Sequence, residues 1–350
     1  MFKKKGGNAH GAAQSAEQVA AAADVKIRKD RIGRYLRKHL KEFVFDEFSE
    51  SYMQKAGIAD IMKGVPIPLM KGDVEKFMGG GGLNALHLAE NMTYVMGADP
   101  HFEYTRNYVA FLNKLFNYKI YEGMLKKGRN AAEKGELEKA CIYFRATLCM
   151  NPVYLHGMYS YARVCRAMYL EGGNEEYIGR FKAEAMDYFE LTTEAHPQFA
   201  QAYYYLGYAY LNIGLYLKAE LAWKDFLKKS RTPKDSKEIR GRLMQIAEPV
   251  QIEQGYNLVL SEHFGQGLKV LEPFMETRFK TWWPLSYYLG VCYIRLGMRD
   301  EAVASFKNVL TMNAAHLETM EELAAIYATE NDSENEAKYR KKIELLKAQA

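Results

Sequence analysis

At 350 residues the chain exceeds one ordinary globular domain, so two domains or an elongated repeat array is the expected organisation. Its 26 Tyr, 17 Phe and 17 Met supply bulky apolar surface that favours helices over sheets, and no window approaches the unbroken apolar length of a membrane-spanning helix. The net charge of +5 is concentrated at the front: residues 1–41 hold eleven Lys and Arg against Glu17, Asp24 and Asp30, which leaves the remainder at −3.

The opening stretch MFKKKGGNAHGAAQSAEQ begins with basic residues, but no continuous apolar run follows, so secretion through a leader peptide is not expected. Residues 1–24 are small, polar and alanine-rich, the composition of a disordered tail. Over residues 25–44, VKIRKDRIGRYLRKHLKEFV, the apolar stripe Ile32, Tyr35, Leu36, His39, Leu40 and Phe43 advances by threes and fours and predicts a basic amphipathic helix. Two readings stand: the stripe packs on the neighbouring repeat with its charged side solvated, or the cations attach the protein to an anionic surface, membrane or nucleic acid. His39 reads as a core or edge histidine rather than a ligand.

Residues 25–118 form an irregular helical N-terminal region, with short helical patterns interrupted by GVPIPLMKGD, by the run MGGGGLNALHLAENM (residues 78–92) and by GADPH. The glycines do not form a phosphate loop of the Walker type, because Leu83-Asn84 follows where Lys-Ser/Thr is needed and no β-branched run precedes. A dinucleotide fingerprint fails for want of the strand, helix and distant acid in order. A hinge or helix start is the plainer reading, with an anion or small ligand on the amides of Gly80 to Leu83, in a domain reaching His101, as the alternative. His87, Glu90, Asp99, His101 and Glu103 cluster in sequence, but an HxxE pair lacks a third metal ligand, and helix capping with a turn at Asp99-Pro100 accounts for the same residues. No metal, no cofactor and no enzyme activity are expected. Cys141, Cys149, Cys165 and Cys292 lack ligand spacing and sit in apolar helical patterns, so buried reduced thiols in a cytoplasmic compartment are expected.

From residue 119 onward a period of about 34 residues takes over. In AQAYYYLGYAYLNIGLYLKAELAWKDFLKKSRTP (200–233) and WPLSYYLGVCYIRLGMRDEAVASFKNVLTMNAAH (283–316), Leu206-Gly207, Tyr210, Gly214, Ala219 and Trp223 stand at the offsets of Leu289-Gly290, Tyr293, Gly297, Ala302 and Phe306. Each unit reads as two helices broken at the second glycine. Residues 121–154 repeat Gly128, Gly135, Ala140, Phe144 and Pro152, and residues 155–199 repeat Ala162, Ala185, Phe189 and Pro197 with about eleven extra residues around LEGGNEEYIGR. Residues 248–281 keep Gly255, Phe264, Gly267 and Leu271; residues 317–350 keep Leu323-Ala324 and Tyr327, then become a polar capping helix. The segment 234–247 is an additional helix or part of a degenerate unit.

This pattern resembles the tetratricopeptide-repeat family, with Tyr203 and Ser286 standing where the family's opening Trp would be. The resemblance implies an all-α fold: a right-handed α-solenoid of helix-turn-helix repeats over 119–350 behind the irregular helical N-terminal region. Positions two, five, nine and twelve of each unit then share the concave face. They are Leu125 and Arg129; His156, Tyr159, Arg163 and Arg166; Gln201, Tyr204, Tyr208 and Leu211; Ile252, Tyr256 and Val259; and Tyr287, Val291 and Ile294, with Arg295 adjacent.

Aromatic stripes at helical spacing also serve as core, whereas arginines fit a core poorly. A groove rich in Tyr and Arg suits a partner segment with apolar and acidic side chains. The clamp by which some family members hold a C-terminal carboxylate is absent in its usual form, since Leu125 and Arg129 occupy its first positions. The expected function is a cytoplasmic, non-enzymatic adaptor, scaffold or chaperone that binds a protein or peptide in that groove.

Overall fold

In the computed structural model of the protein, residues 30–74, 85–116 and 120–349 are described; the expected tail 1–24 and the glycines at 79–82 lie outside them. The chain divides into two compact units, Met1–Ala209 with Lys228–Ser230, and Tyr210–Leu227 with Arg231–Ala350.

Unit 1 begins with α1 (Gly33–Leu36), a 3-10 turn (Arg37–Glu42) and β1 (Phe43–Asp46), followed by α2 (Glu50–Lys55), α3 (Ala59–Met62) and β2 (Ile67–Met70). β1 pairs antiparallel with β2, Phe43 facing Met70 and Asp46 facing Ile67. The single amphipathic helix expected over 25–44 is thus corrected over its described part, residues 30–44, of which only four are α-helical. Ile32 and Leu36 are fully buried at a helical step, but none of the six residues from Arg37 to Glu42 is buried, so nothing anchors a further helical turn. Phe43 reaches the core from the strand instead. GVPIPLM, expected only as an interruption, supplies β2. Pro66 and Pro68 have no N–H to give a helix, and their carbonyls accept hydrogen bonds from Tyr108 Oη at 2.6 Å and Asn91 Nδ2 at 3.1 Å.

Helices α4 (Ala85–Ala98) and α5 (Thr105–Phe116) close this region, and one core runs from Met53 and Ile67 through Met92 and Phe111 to Ile120 and Met124. The last two belong to α6 (Ile120–Glu133), so the irregular region and the first repeat share their interior. α4 lies against α7 (Leu137–Met150) at backbone distance: a Cβ on Gly97 would sit 2.0 Å from the Ile142 carbonyl oxygen.

The remaining helices follow the expected period: α8 (Leu155–Glu171), α9 (Glu175–Ala195), α10 (Ala200–Leu211), α11 (Tyr216–Lys229), α12 (Pro233–Gln245), α13 (Ala247–Leu260), α14 (Phe264–Leu271), α15 (Trp283–Arg295), α16 (Arg299–Met312), α17 (Leu317–Thr329) and α18 (Ser333–Gln349). No strand interrupts them among the described residues from 120 onward. Segment 234–247 resolves into the extra helix α12. The insertion in the second repeat lengthens its hairpin to helices of 17 and 21 residues, against 14 each in α6 and α7, with Asn174 Oδ1 accepting from the Tyr177 amide to cap α9. Among the described residues, no helix is long and apolar enough to cross a membrane.

Two features recur in the hairpins. A small residue on the first helix admits a large one from the second: a Cβ on Gly128 would fall 2.5 Å from the Phe144 ring, on Gly290 2.6 Å from Phe306, and on Gly255 2.5 Å from Leu271. The turn between the helices needs a left-handed residue, supplied by Gly135, Gly214 and Gly297 at φ of 76°, 78° and 81° and by Glu262 and Asn331 at φ of 62° and 57°. Asn tolerates that region; Glu adopts it at a cost.

The basic front segment is fastened to the repeats by ion pairs. Arg31 engages Asp187 and Glu184 of α9, Arg34 engages Glu176, and Lys38 and His39 both bond Glu138 of α7, at 2.8 and 2.9 Å. Arg37 reaches Asp99 at 3.1 Å. Beneath them Arg145 and Asp30 form a buried pair at 2.8 Å, their side chains 5% and 7% exposed. Asp30 also accepts from the Gly33 amide, which starts α1.

Removing one partner of that buried pair strands the other's charge. Asp30→Ala should therefore cost about 3–5 kcal/mol in chemical denaturation, far more than Arg34→Ala on the surface, which should stay below about 1 kcal/mol. Gly97→Ala should cost about 1–3 kcal/mol through the clash with the Ile142 carbonyl. At the turns, Glu262→Gly should raise the unfolding midpoint and Gly297→Ala lower it, each by about 1 kcal/mol.

Burial pushes the Glu138 carboxyl up, but hydrogen bonds from Lys38 and His39 outweigh it and hold the group below its ordinary value. A depressed folded value means a contribution present above the unfolded value and lost as pH falls through the folded one. Amide protection over residues 33–46, corrected for intrinsic exchange, should fall as pH drops below about 4.5, and Glu138→Gln should show the loss already at about pH 7.

Candidate protein-binding face

Helix α8 carries Tyr159, Arg163 and Arg166 at steps of four and three, one stripe of a helix whose other side buries Tyr161, Ala162, Cys165 and Met168. Helix α10 repeats the device with Tyr204 and Tyr208 half-buried, while Ala202 and Leu206 are buried. These stripes meet. Tyr159 packs edge-on against Phe199 at 5.0 Å and tilts against Tyr205 at 6.0 Å, while Tyr204 touches both Tyr205 and Tyr208 at 5.0 and 5.2 Å. The Arg163 guanidinium lies over Tyr159 and Tyr205 at 5.7 and 5.4 Å from the ring centres, and that of Arg166 over Tyr205 at 5.5 Å. Burial pushes the Tyr159 hydroxyl up to about 12, with Tyr205 adding to it and Arg163 opposing it, so the phenol stays a neutral donor.

Tyr205 is the residue that counting positions misses. At position six of its repeat it turns toward the preceding hairpin and stacks on Phe189 at 5.5 Å with rings 10° apart. The YYY run at 203–205 was its only signal in the sequence.

The other expected residues divide. In unit 1, Arg129 and His156 are exposed, His156 packing edge-on against Tyr154 at 5.9 Å and Tyr154 against Tyr121 at 4.9 Å, while Gln201 is half-buried at the start of α10. Leu125 does not line the face; it is buried, as are Ile252 and Val259 of unit 2. Leu125 and Ile252 stand at position five and Val259 at position twelve; these aliphatic side chains are buried, whereas Tyr159, Tyr204 and Tyr287 at position five stay half-buried. In unit 2, Tyr256 stacks on Tyr288 at 4.2 Å and Tyr287 packs against Phe306 and His316, so both rings are shared between helices. Arg295 is exposed at the end of α15.

The front-end acid and histidine cluster does not converge. His87 Nε2 bonds Asp73 at 2.7 Å, Glu90 pairs with Lys127, and Asp99 pairs with Arg37 and accepts from the His101 amide. Among the described residues no group of three His, Cys, Asp or Glu is placed to hold a metal ion. A cavity of about 870 Å³ between the α4–α5 turn, α7 and α9 has Cys149 in its wall, but burial pushes that thiol up to about 12, far from a nucleophilic thiolate. Glu184, in the same wall, is raised chiefly by burial and accepts from Tyr161 Oη at 2.8 Å. A second cavity of about 610 Å³ lies between the front segment, α4 and α7, lined by His39, His87, Tyr94 and Tyr143. All four cysteines are free thiols.

The family model for the tetratricopeptide repeat matches residues 285–312, the helix pair α15 and α16. No curated protein sequence matches the chain. Among solved structures, it is similar to the tetratricopeptide-repeat domain of P58(IPK), at 20% identity over 64% of this chain and 60% of that one, with a TM-score of 0.36. It is also similar to the tetratricopeptide-repeat protein TTC0263 of Thermus thermophilus, at 15% identity over 69% and 99% with a TM-score of 0.31. A repeat protein of Parabacteroides merdae matches at 15% identity over 79% and 91%, with a TM-score of 0.31. The chain spans 60% of the P58(IPK) domain. The glycine and aromatic contact of the matched segment recurs at Gly128 and Phe144 and its left-handed turn at Gly135 and Gly214, so residues 285–312 match a tetratricopeptide repeat and the chain has a tetratricopeptide-like helical-repeat fold.

Proposed function

We propose that the chain is a non-enzymatic protein-interaction module whose Tyr/Arg face in unit 1 seats an apolar, acidic segment of a partner protein, in the manner of an adaptor, scaffold or chaperone. The carrying observation is that Arg163 and Arg166 are laid over tyrosine rings with no carboxylate partner among the described residues. Arg31, Arg34, Arg37, Lys38 and Arg145, by contrast, are paired with carboxylates within the fold. An arginine held flat on an aromatic ring has lost part of its solvation and most of its rotamer freedom, so a carboxylate arriving there gains a charge-assisted hydrogen bond at low entropic cost. Tyr159, Tyr204 and Tyr208 add contact area from side chains with two torsions each. Free thiols at all four cysteines support a reducing, cytoplasmic setting.

The test is affinity purification with mass spectrometry, followed by titration of the recovered partner. The triple variant Arg163→Ala, Tyr204→Ala and Tyr208→Ala should bind it at least about thirtyfold more weakly with helical content intact, since hot-spot truncations cost upward of about 1 kcal/mol each. Unchanged affinity would remove the face from the function.

A further inference from the structure

Building on the reading that this face binds a protein segment, we propose that Arg163 and Arg166 form a seat for a phosphorylated side chain of that segment. The two guanidinium carbons lie 5.4 and 5.5 Å from the centre of the Tyr205 ring, so both charges lie against one ring. That ring is backed by Phe189, so the platform beneath the two charges is fixed. Arg163 is also held over Tyr159. No Asp or Glu pairs with either arginine among the described residues, and Arg166 Nε is buried with no hydrogen-bond partner. Two like charges thus lie against one ring, and one of them, Arg166, has a donor in its own Nε that lacks an acceptor.

A single carboxylate neutralises one of them. A phosphate monoester brings a charge of about −1.5 to −2 and three acceptor oxygens, which matches two guanidinium forks in both charge and hydrogen-bond count. Each fork presents its N–H groups in a plane, so both can offer N–H groups to one phosphoryl group while their guanidinium carbons stay beside the ring. Tyr204 and Tyr208 are then left for the apolar residues that flank the phosphorylated one.

Inorganic phosphate carries the same chemistry, so the test separates the two sources. Short degenerate peptides rich in Leu and Tyr, with a central phosphoserine, serine or glutamate, would be titrated against the full chain by fluorescence polarisation, with inorganic phosphate as competitor. The phosphoserine pool should bind at least about tenfold more tightly than serine and about threefold more tightly than glutamate. That advantage should vanish in the Arg163→Gln, Arg166→Gln double variant and shrink as pH falls through about 6, where the second phosphate proton returns. Circular dichroism would verify that the variant folds.

Equal binding of the three pools overturns the phosphate seat; if Tyr204→Ala with Tyr208→Ala still weakens that binding, the face itself survives. Binding of no pool overturns both. Inorganic phosphate binding as tightly as the phosphoserine pool also overturns the proposal, since the seat would then serve a free anion.

Discussion

The structure depends on how closely two helices of one hairpin can approach. Where Gly128, Gly255 and Gly290 stand, the first helix has no side chain, and Phe144, Leu271 and Phe306 of the second fill the space a Cβ would occupy. That contact turns each first helix about its axis. Its small and aliphatic residues face the seam, and longer polar and aromatic residues at positions five, nine and twelve are carried to the opposite side. Arg163 and Arg166 stand on α8 and Tyr204 and Tyr208 on α10, where Ala162 and Gly207 are the buried small residues at the corresponding position, with no loop involved. A binding face made on helices inherits their rigidity, which lowers the entropic cost of seating a partner.

Unit 1 uses its electrostatics in two ways. On the side of α7 and α9, cations of the front segment meet Glu138, Glu176 and Asp187, and the deepest pair, Arg145 with Asp30, is shielded from water. These contacts pair Arg31, Arg34, Arg37 and Lys38 within the fold. On the Tyr/Arg face the cations are stacked on rings and left without a carboxylate among the described residues. Structural pairing and a surface left open to a partner are thereby kept apart within the same unit.

Much of the repeat region was legible in the sequence because its signals are local and periodic: the glycine at the hairpin seam, the left-handed glycine at the turn, and the large residue nine positions after that turn. Glu262 and Asn331 hid two turns, since neither is a usual left-handed residue of this pattern, yet the backbone adopts the same conformation. The front segment was misread because Ile32, Leu36 and Phe43 keep a helical spacing even though Phe43 is delivered by a strand. That strand exists because Pro66 and Pro68 exclude a helix opposite it, a constraint acting from a distance of roughly twenty residues. Of the candidate site, the arginines were legible as misfits in a core. Tyr205 was not, because its role comes from Phe189 in another hairpin.

The central claim, that a partner docks on the Tyr/Arg face of unit 1, is tested most directly by site-specific photocrosslinking in the intact protein. A photoreactive residue replacing Tyr208 would be compared with one replacing Gly179, an exposed position on α9 with open space around it. The account predicts a partner adduct from position 208 and none from position 179. Adducts from 179 alone would contradict it.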